Sequence, residues 1–203
     1  MTRKFKNKYR IESTRLQYWD YGWNAAYFVT ICTCRRLFYF GDVRDGIMGL
    51  STIGCLAWRF WYEIPHHFPF VILDAFIVMP NHVHGIIVIN KPDGGMDENR
   101  YAAPTAVDRA LPCLHTGDAR NCQSIGHLRM RNPGKNTLSS IVGSYKSVVS
   151  TYAHKIDVNF AWQSRFHDRI IRDEKAYDNI ANYIYDNPRR WDGDKFFGGC
   201  GAA

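Results

Sequence analysis

The sequence predicts an α+β domain with a ferredoxin-like (split βαβ) antiparallel sheet and helices packed on it, in the order β-α-β-β-α-β-α. Three observations lead there. Four short runs are rich in β-branched and aromatic residues or alternate in polarity, and three longer runs repeat apolar residues at helical spacing. The two middle strand-like runs are separated only by Pro80-Asn81, a pair suited to a tight turn, which makes them an antiparallel hairpin. A chain of 203 residues, 46% of them hydrophobic, is long enough to bury one core. We read it as a single domain, 1–203, with a basic N-terminal arm over 1–20 and a mobile insertion over about 91–136.

The first strand is "YFVTICTC" (27–34), whose apolar density predicts a central position. In "GLSTIGCLAWRFWYEIP" the residues Leu50, Ile53, Leu56, Ala57, Phe60, Trp61 and Ile64 recur at helical spacing, and Pro65 stops the helix. The hairpin follows as "FPFVILDAFIVM" and "HVHGIIVI". Over 91–136 the composition turns to Gly, Pro, Asn, Asp and Arg without periodicity, which reads as an insertion. Periodicity returns in "LSSIVGSYKSVVSTYAHK", where Leu138, Ile141, Val142, Tyr145, Val148, Val149 and Tyr152 form one apolar stripe, with Tyr145 and Tyr152 read as core residues. "WQSRFHDRIIR" alternates Arg165, His167 and Arg169 with Phe166, Asp168 and Ile170 as a strand. "DEKAYDNIANYIYDN" is the last helix, ended by Pro188. The element order leaves helices to cover one sheet face.

Composition narrows the partner. With 26 Lys and Arg against 19 Asp and Glu, the net charge is +7, and clustered positive charge is rewarded by phosphates, so nucleic acid is favoured over membrane. No segment has eighteen uncharged apolar residues, and "MTRKFKNKYR" lacks the hydrophobic stretch of a signal peptide, so the expected compartment is the cytoplasm. The six cysteines include no CxxC pair, and Cys32, Cys34 and Cys55 lie in apolar surroundings that suit buried reduced thiols. Neither a disulfide framework nor a zinc ribbon is expected.

The chemistry centres on "VMPNHVHGIIVI". Strand side chains alternate, so His82 and His84 share one face while Val83 turns to the core. Gly85 beside them leaves room for another backbone or a phosphate. Two histidines so spaced are by themselves more often plain half-exposed strand residues than a ligand pair. Imidazoles do, however, bind divalent cations that polarise phosphoryl oxygens. The nucleophile for such a site is either water or a tyrosine that forms a covalent intermediate. In "NIANYIYDNP", Tyr183 and Asn187 are four apart and therefore neighbours on a helix surface, with Ile180 and Ile184 carrying the core face and Tyr185 pointing away from it.

The stretches "AAYFVTICTCRRLFYFGDV", "FIVMPNHVHGIIVI", "IVGSYKS" and "WQSRFHDRIIRDEKAYDNIANYIYDNPRRW" together resemble the REP-associated tyrosine transposases, within the HUH single-strand transposase class that includes small insertion-sequence enzymes. The resemblance spans most of the chain outside the insertion. It implies the ferredoxin-like sheet already read from element order. It also implies a metal-dependent strand transferase, using Mg²⁺ or Mn²⁺, that cuts single-stranded DNA beside a hairpin and leaves a 5′-phosphotyrosine and a free 3′-hydroxyl. By that pattern His82, His84 and Asn187 hold the cation and Tyr183 attacks; Asn187 stands where insertion-sequence relatives usually have Gln. Relatives in this class act as monomers or homodimers.

For DNA contact the chain offers two basic groups: Arg3, Lys4, Lys6, Lys8 and Arg10 in the arm, interleaved with Phe5 and Tyr9, and Arg165, His167, Arg169 and Arg172 near the catalytic end. The arm reads equally as a solvated tail, and His167 equally as a helper in proton transfer. Competing readings are a catalytically silent DNA-hairpin-binding protein, a water-using metal-dependent hydrolase, and an RNA-binding sheet. The last is disfavoured because the histidine pair takes the mid-sheet position that stacking aromatics need.

Overall fold

Strand β3 (Ala25–Cys32) lies inside the main sheet, flanked on one side by β7 (His82–Ile89) and on the other by β8 (His167–Ile171), with β6 (Val71–Met79) at the far edge beyond β7. All three pairings are antiparallel, so the predicted α+β, split βαβ sheet is the observed one. These are features of a computed structural model, which describes residues 4–5, 8–9, 19–92, 134–194 and 196–197. β6 and β7 form the expected hairpin around Pro80 and Asn81, pairing Met79 with His82 and Ile77 with His84. β6 bulges between Leu73 and Phe76, which lets its two ends face the core on different registers. The first strand sits two residues earlier than 27–34, because the chain enters a 3₁₀ turn at Cys34–Arg36, in which Arg35 and Arg36 take positive φ of 53° and 55°.

Helix α1 (Thr52–Tyr62) starts at Ser51, whose hydroxyl accepts from the Gly54 N–H at 3.0 Å. Pro65 does not end it. The helix stops at Tyr62, and Pro65 opens a separate short helix α2 (Ile64–His67), where a missing N–H costs nothing. Helix α3 (Leu138–Ala153) begins with a reciprocal capping box between Thr137 and Ser140, and α4 (Glu174–Asp186) begins at Asp173, whose carboxylate accepts from Ala176 N–H at 2.8 Å.

Both sheet faces are covered, not one. α1 and α3 pack on the face formed by Tyr27, Val29, Ile31, Val83, Ile87 and Ile89, and Tyr145 donates to the Ala57 carbonyl at 3.0 Å to tie the two helices. α4 takes the opposite face, setting Ile180 and Ile184 on Ala26, Ala75 and Ile86. The element order led to coverage of one face; the second apolar patch around Ile86 is what draws α4 onto the other. Gly85 also differs from expectation. It turns away from the histidines, and a Cβ there would lie 2.3 Å from Cζ2 of Trp61, whose indole stacks on Phe76 with centroids 4.3 Å apart. The glycine admits an indole, not a phosphate.

A second hairpin was not foreseen: β4 (Gly41–Arg44) pairs with β5 (Ile47–Leu50) around Asp45 and Gly46, both at positive φ. Upstream, β1 (Lys4–Phe5) pairs with β2 (Lys8–Tyr9). Tyr152, read as core, is 43% exposed, its ring leaning on Phe60 at the rim of the stripe. Of the cysteines, Cys32 is buried, Cys34 half-buried and Cys55 exposed on α1, so the buried reading fails for Cys55. Most of the insertion over 91–136 lies outside the described residues. No described helix is long and apolar enough to cross a membrane.

Candidate active site

The site grows from one row of the sheet. Residues paired across antiparallel strands point to the same side, so Ile77, His84, Thr30 and His167 form a line across four strands, with Met79, His82 and Cys32 in the next line. This is the α4 face. Both histidines are buried, at 0% and 1% exposure, which removes the plain half-exposed reading. A buried imidazole needs partners, and each finds one through Nδ1: His82 with Asn81 Oδ1 at 2.7 Å and His84 with Thr30 Oγ1 at 2.8 Å. The two Nε2 atoms then converge at 3.0 Å from each other. Aromatic rings wall the pair, with Phe28 stacked 5.3 Å from His84 and Phe196 4.5 Å from His82.

α4 brings the tyrosine. Its apolar stripe anchors at Ile180 and Ile184, which leaves Tyr183 at the edge of the stripe, half-buried, with its hydroxyl 3.3 Å from His84 Nε2. Tyr185 is 61% exposed, as its position on the helix requires. One turn on, Asn187 closes the helix and is 1% exposed; Pro188 follows it in a 3₁₀ turn over Asn187–Gly193. That turn delivers Asp194, which accepts from the Tyr183 hydroxyl at 3.4 Å and from Asn187 Nδ2 at 3.5 Å, and is held by the Phe196 N–H at 2.7 Å. Histidine pair, phenol, carboxylate and amide thus form one connected set.

Burial pushes the Tyr183 phenol up to about 12; the neighbouring Asp194 carboxylate adds to this, while a hydrogen bond with Asn187 works against it. The hydroxyl is therefore neutral near pH 7 and needs added positive charge nearby to become a strong nucleophile.

The donor set fits a divalent cation. Two imidazole nitrogens already converge, and Asn187 Oδ1 is buried with no hydrogen-bond partner among the described residues, an orphaned acceptor that a cation would satisfy. No cluster of three or more His, Cys, Asp or Glu side chains occurs among the described residues, so a cation at the histidine pair would need a third ligand of another kind, such as an amide.

Arg165, His167, Arg169 and Arg172 are all exposed, and the register puts His167 and Arg169 on the same face as the histidine pair. His167 stands two strands from His84, about 10 Å at ordinary strand spacing, too far for a direct hydrogen bond between the two rings at the strand positions. In the arm, Arg3, Lys6 and Arg10 lie outside the described residues, while Lys4 and Lys8 fall in the short β1–β2 pairing. Sequence reasoning missed Asn81, Thr30 and Asp194. Asn81 reads as a turn residue, Thr30 as an ordinary strand residue, and Asp194 sits past the last periodic element, so none carried a signal of its own.

No protein-family profile matches the chain. An uncharacterised protein of Haemophilus influenzae (strain ATCC 51907 / DSM 11121 / KW20 / Rd) is 33% identical over 186 residues, covering 91% of this chain and 92% of that one. Among solved structures, that of a REP-associated tyrosine transposase bound to a REP hairpin superposes with a TM-score of 0.52 over 89% of this chain and 74% of that one, at 18% identity. The likeness is one of fold, a transposase fold.

Proposed function

We propose, for a chain that belongs to one family with the Haemophilus influenzae protein and has a transposase fold, that it is a metal-dependent tyrosine transposase acting on single-stranded DNA beside a hairpin. The observation that carries the reading is that His84 Nε2 lies 3.0 Å from His82 Nε2 and 3.3 Å from the Tyr183 hydroxyl, on one sheet face. The hairpin in the neighbouring structure supports the substrate class.

In this reading His82, His84 and Asn187 would hold Mg²⁺ or Mn²⁺, which would supply positive charge beside the scissile phosphate and the Tyr183 oxygen. Tyr183 attacks phosphorus in line: its oxygen forms the new P–O bond, the P–O3′ bond breaks, and the 3′-oxygen leaves to become a hydroxyl with a proton from solvent. The phenol proton passes to Asp194 Oδ2, the acceptor it already faces. Phe28 and Phe196 keep water from the imidazoles, which protects the 5′-phosphotyrosine from hydrolysis and keeps its energy for rejoining. Arg165, His167, Arg169 and Arg172 contact the strand that runs along the open part of the same face. The arm, with Arg3, Lys4, Lys6, Lys8 and Arg10, adds backbone contacts. The protein acts in the cytoplasm.

The test is incubation of wild type and Tyr183→Phe with a labelled hairpin oligonucleotide bearing a single-stranded flank, with Mn²⁺, followed by denaturing electrophoresis. The expected result is a covalent adduct with wild type and none with the variant. A shifted but uncut oligonucleotide with both proteins means a DNA-hairpin binder. Cutting that survives in Tyr183→Phe means a water-using hydrolase.

A further inference from the structure

The two imidazoles are held by different kinds of partner. Asn81 is fully buried, and its Nδ2 donates to two carbonyls, Arg36 O at 3.2 Å and Phe196 O at 2.8 Å. Carbonyls only accept, so the amide has one orientation and its Oδ1 faces His82 Nδ1 as an acceptor. His82 therefore carries its proton on Nδ1, and its Nε2 is a bare lone pair. Thr30 is different, because a hydroxyl both donates and accepts. Two bare Nε2 atoms at 3.0 Å would repel, so in the metal-free protein the hydrogen between them belongs to His84, whose Nδ1 then accepts from the Thr30 hydroxyl.

We propose that Asn81 and Thr30 are positioning residues that divide the labour between the histidines: Asn81 locks His82 as a permanent lone-pair donor, and Thr30 lets His84 change tautomer. When His84 gives its Nε2 lone pair to a cation, the ring exchanges its Nε2 proton for one on Nδ1, stays neutral, and donates to a Thr30 hydroxyl that has turned to accept. This preserves a hydrogen bond in both states, so the buried site has no unpaired ring nitrogen before or after loading. Asn81 also ties the Cys34–Arg36 turn and Phe196 to His82, which couples the mouth of the site to the orientation of its first ligand. The inference rests on the metal-dependent reading above.

Long-range ¹H–¹⁵N spectra of ring-labelled protein test it without any DNA. In metal-free wild type, His82 is expected in the Nδ1–H form and His84 in the Nε2–H form. Added Mg²⁺ should move only His84, to Nδ1–H. Asn81→Ala should mix the His82 tautomers, and Thr30→Val should weaken Mn²⁺ binding about 10- to 100-fold while Thr30→Ser keeps it. The Thr30 pair holds the test if Asn81→Ala does not fold. An Nε2–H His82 in wild type overturns the Asn81 role. Mg²⁺ binding without a change at His84, or full Mn²⁺ affinity in Thr30→Val, overturns the Thr30 role. Absence of any Mg²⁺ or Mn²⁺ binding to wild type overturns the metal reading and the Thr30 role with it, while the metal-free spectrum still judges Asn81 alone.

Discussion

Strand β7 serves two regions of opposite character. Val83, Gly85, Ile87 and Ile89 face α1 and α3, where Trp61 lies flat in the gap that Gly85 leaves and rings from three elements close the space. His82, His84, Ile86 and Val88 face α4, where an apolar patch around Ile86 adjoins a hydrogen-bonded network that runs from the histidines to Tyr183 and Asp194. The first face is held by packing so close that Gly85 has no room for a Cβ; the second combines an apolar patch with directional hydrogen bonds between buried polar groups. The period-two geometry of a strand lets one segment do both, because neighbouring residues never share a face. Burying two imidazoles costs stability, and the packing of the opposite face offsets it.

The sharpest way to break this division is to disturb one face alone. Gly85→Ala inserts a methyl 2.3 and 2.7 Å from the Trp61 ring and 3.1 Å from Phe76. A Gly-to-Ala change in a strand is usually mild, but here the indole has to leave its stack. We expect a loss of about 3 kcal/mol, or roughly 6–12 °C in Tm, by thermal denaturation. Adduct yield per folded molecule should stay near wild type, since the new Cβ points away from the histidines. A variant with unchanged Tm but lost adduct would mean the two faces are not independent.

How far the site was legible follows the same division. The histidine pair and its shared face came from alternation in "HVHGIIVI", and the Tyr183–Asn187 neighbourhood from helical spacing, because both patterns are local. The use of Gly85 was not, since the residue that fills it, Trp61, arrives from another element. Asn81 was read as a turn residue, which it is, but its amide reaches Arg36 and Phe196 in segments far apart in sequence, and only the folded turn brings them together. Asp194 follows a 3₁₀ turn without a pattern of its own. The β4–β5 hairpin is the instructive case, because its Asp45-Gly46 turn is a local signal and stood in the sequence to be read. Helix coverage of both faces needed the second apolar patch at Ala26, Ala75 and Ile86, visible only once register is known.

Alkaline pH sharpens the comparison by titrating both faces. Burial raises the phenols of Tyr145 and Tyr27 on the core face and lifts Tyr183 on the other to about 12. Below pH about 10 the folded and unfolded chains both keep these protons, so stability does not depend on them. Above it the unfolded chain releases protons that the folded chain retains, and stability falls by up to about 1.4 kcal/mol per pH unit for each tyrosine. For Tyr183, the more exposed of the three to solvent screening, the decline ends near its folded value. Tm measured from pH 8 to 11 should drop steeply past 10, and Tyr145→Phe should flatten the drop by one proton. An equally steep profile in that variant would remove Tyr145 from the cause.

The smallest effect separates local charge from net charge. Arg169 is exposed on the histidine face, opposite Phe28 across the strand pair, whereas Arg59 is exposed on α1, on the other side of the sheet, where it pairs with Glu63 at 3.0 Å. Each substitution to Ala removes one positive charge from the same protein, and neither buries enough surface to shift stability by more than about 0.5 kcal/mol. Each phosphate contact adds about 0.7 to the slope of log affinity against log salt for a single strand. Arg169→Ala should therefore shallow that slope by about 0.7 in a titration with a single-stranded oligonucleotide, while Arg59→Ala should leave it unchanged. Equal shallowing in both would make the salt dependence a property of net charge alone, and the strand would then have no preferred path along the histidine face.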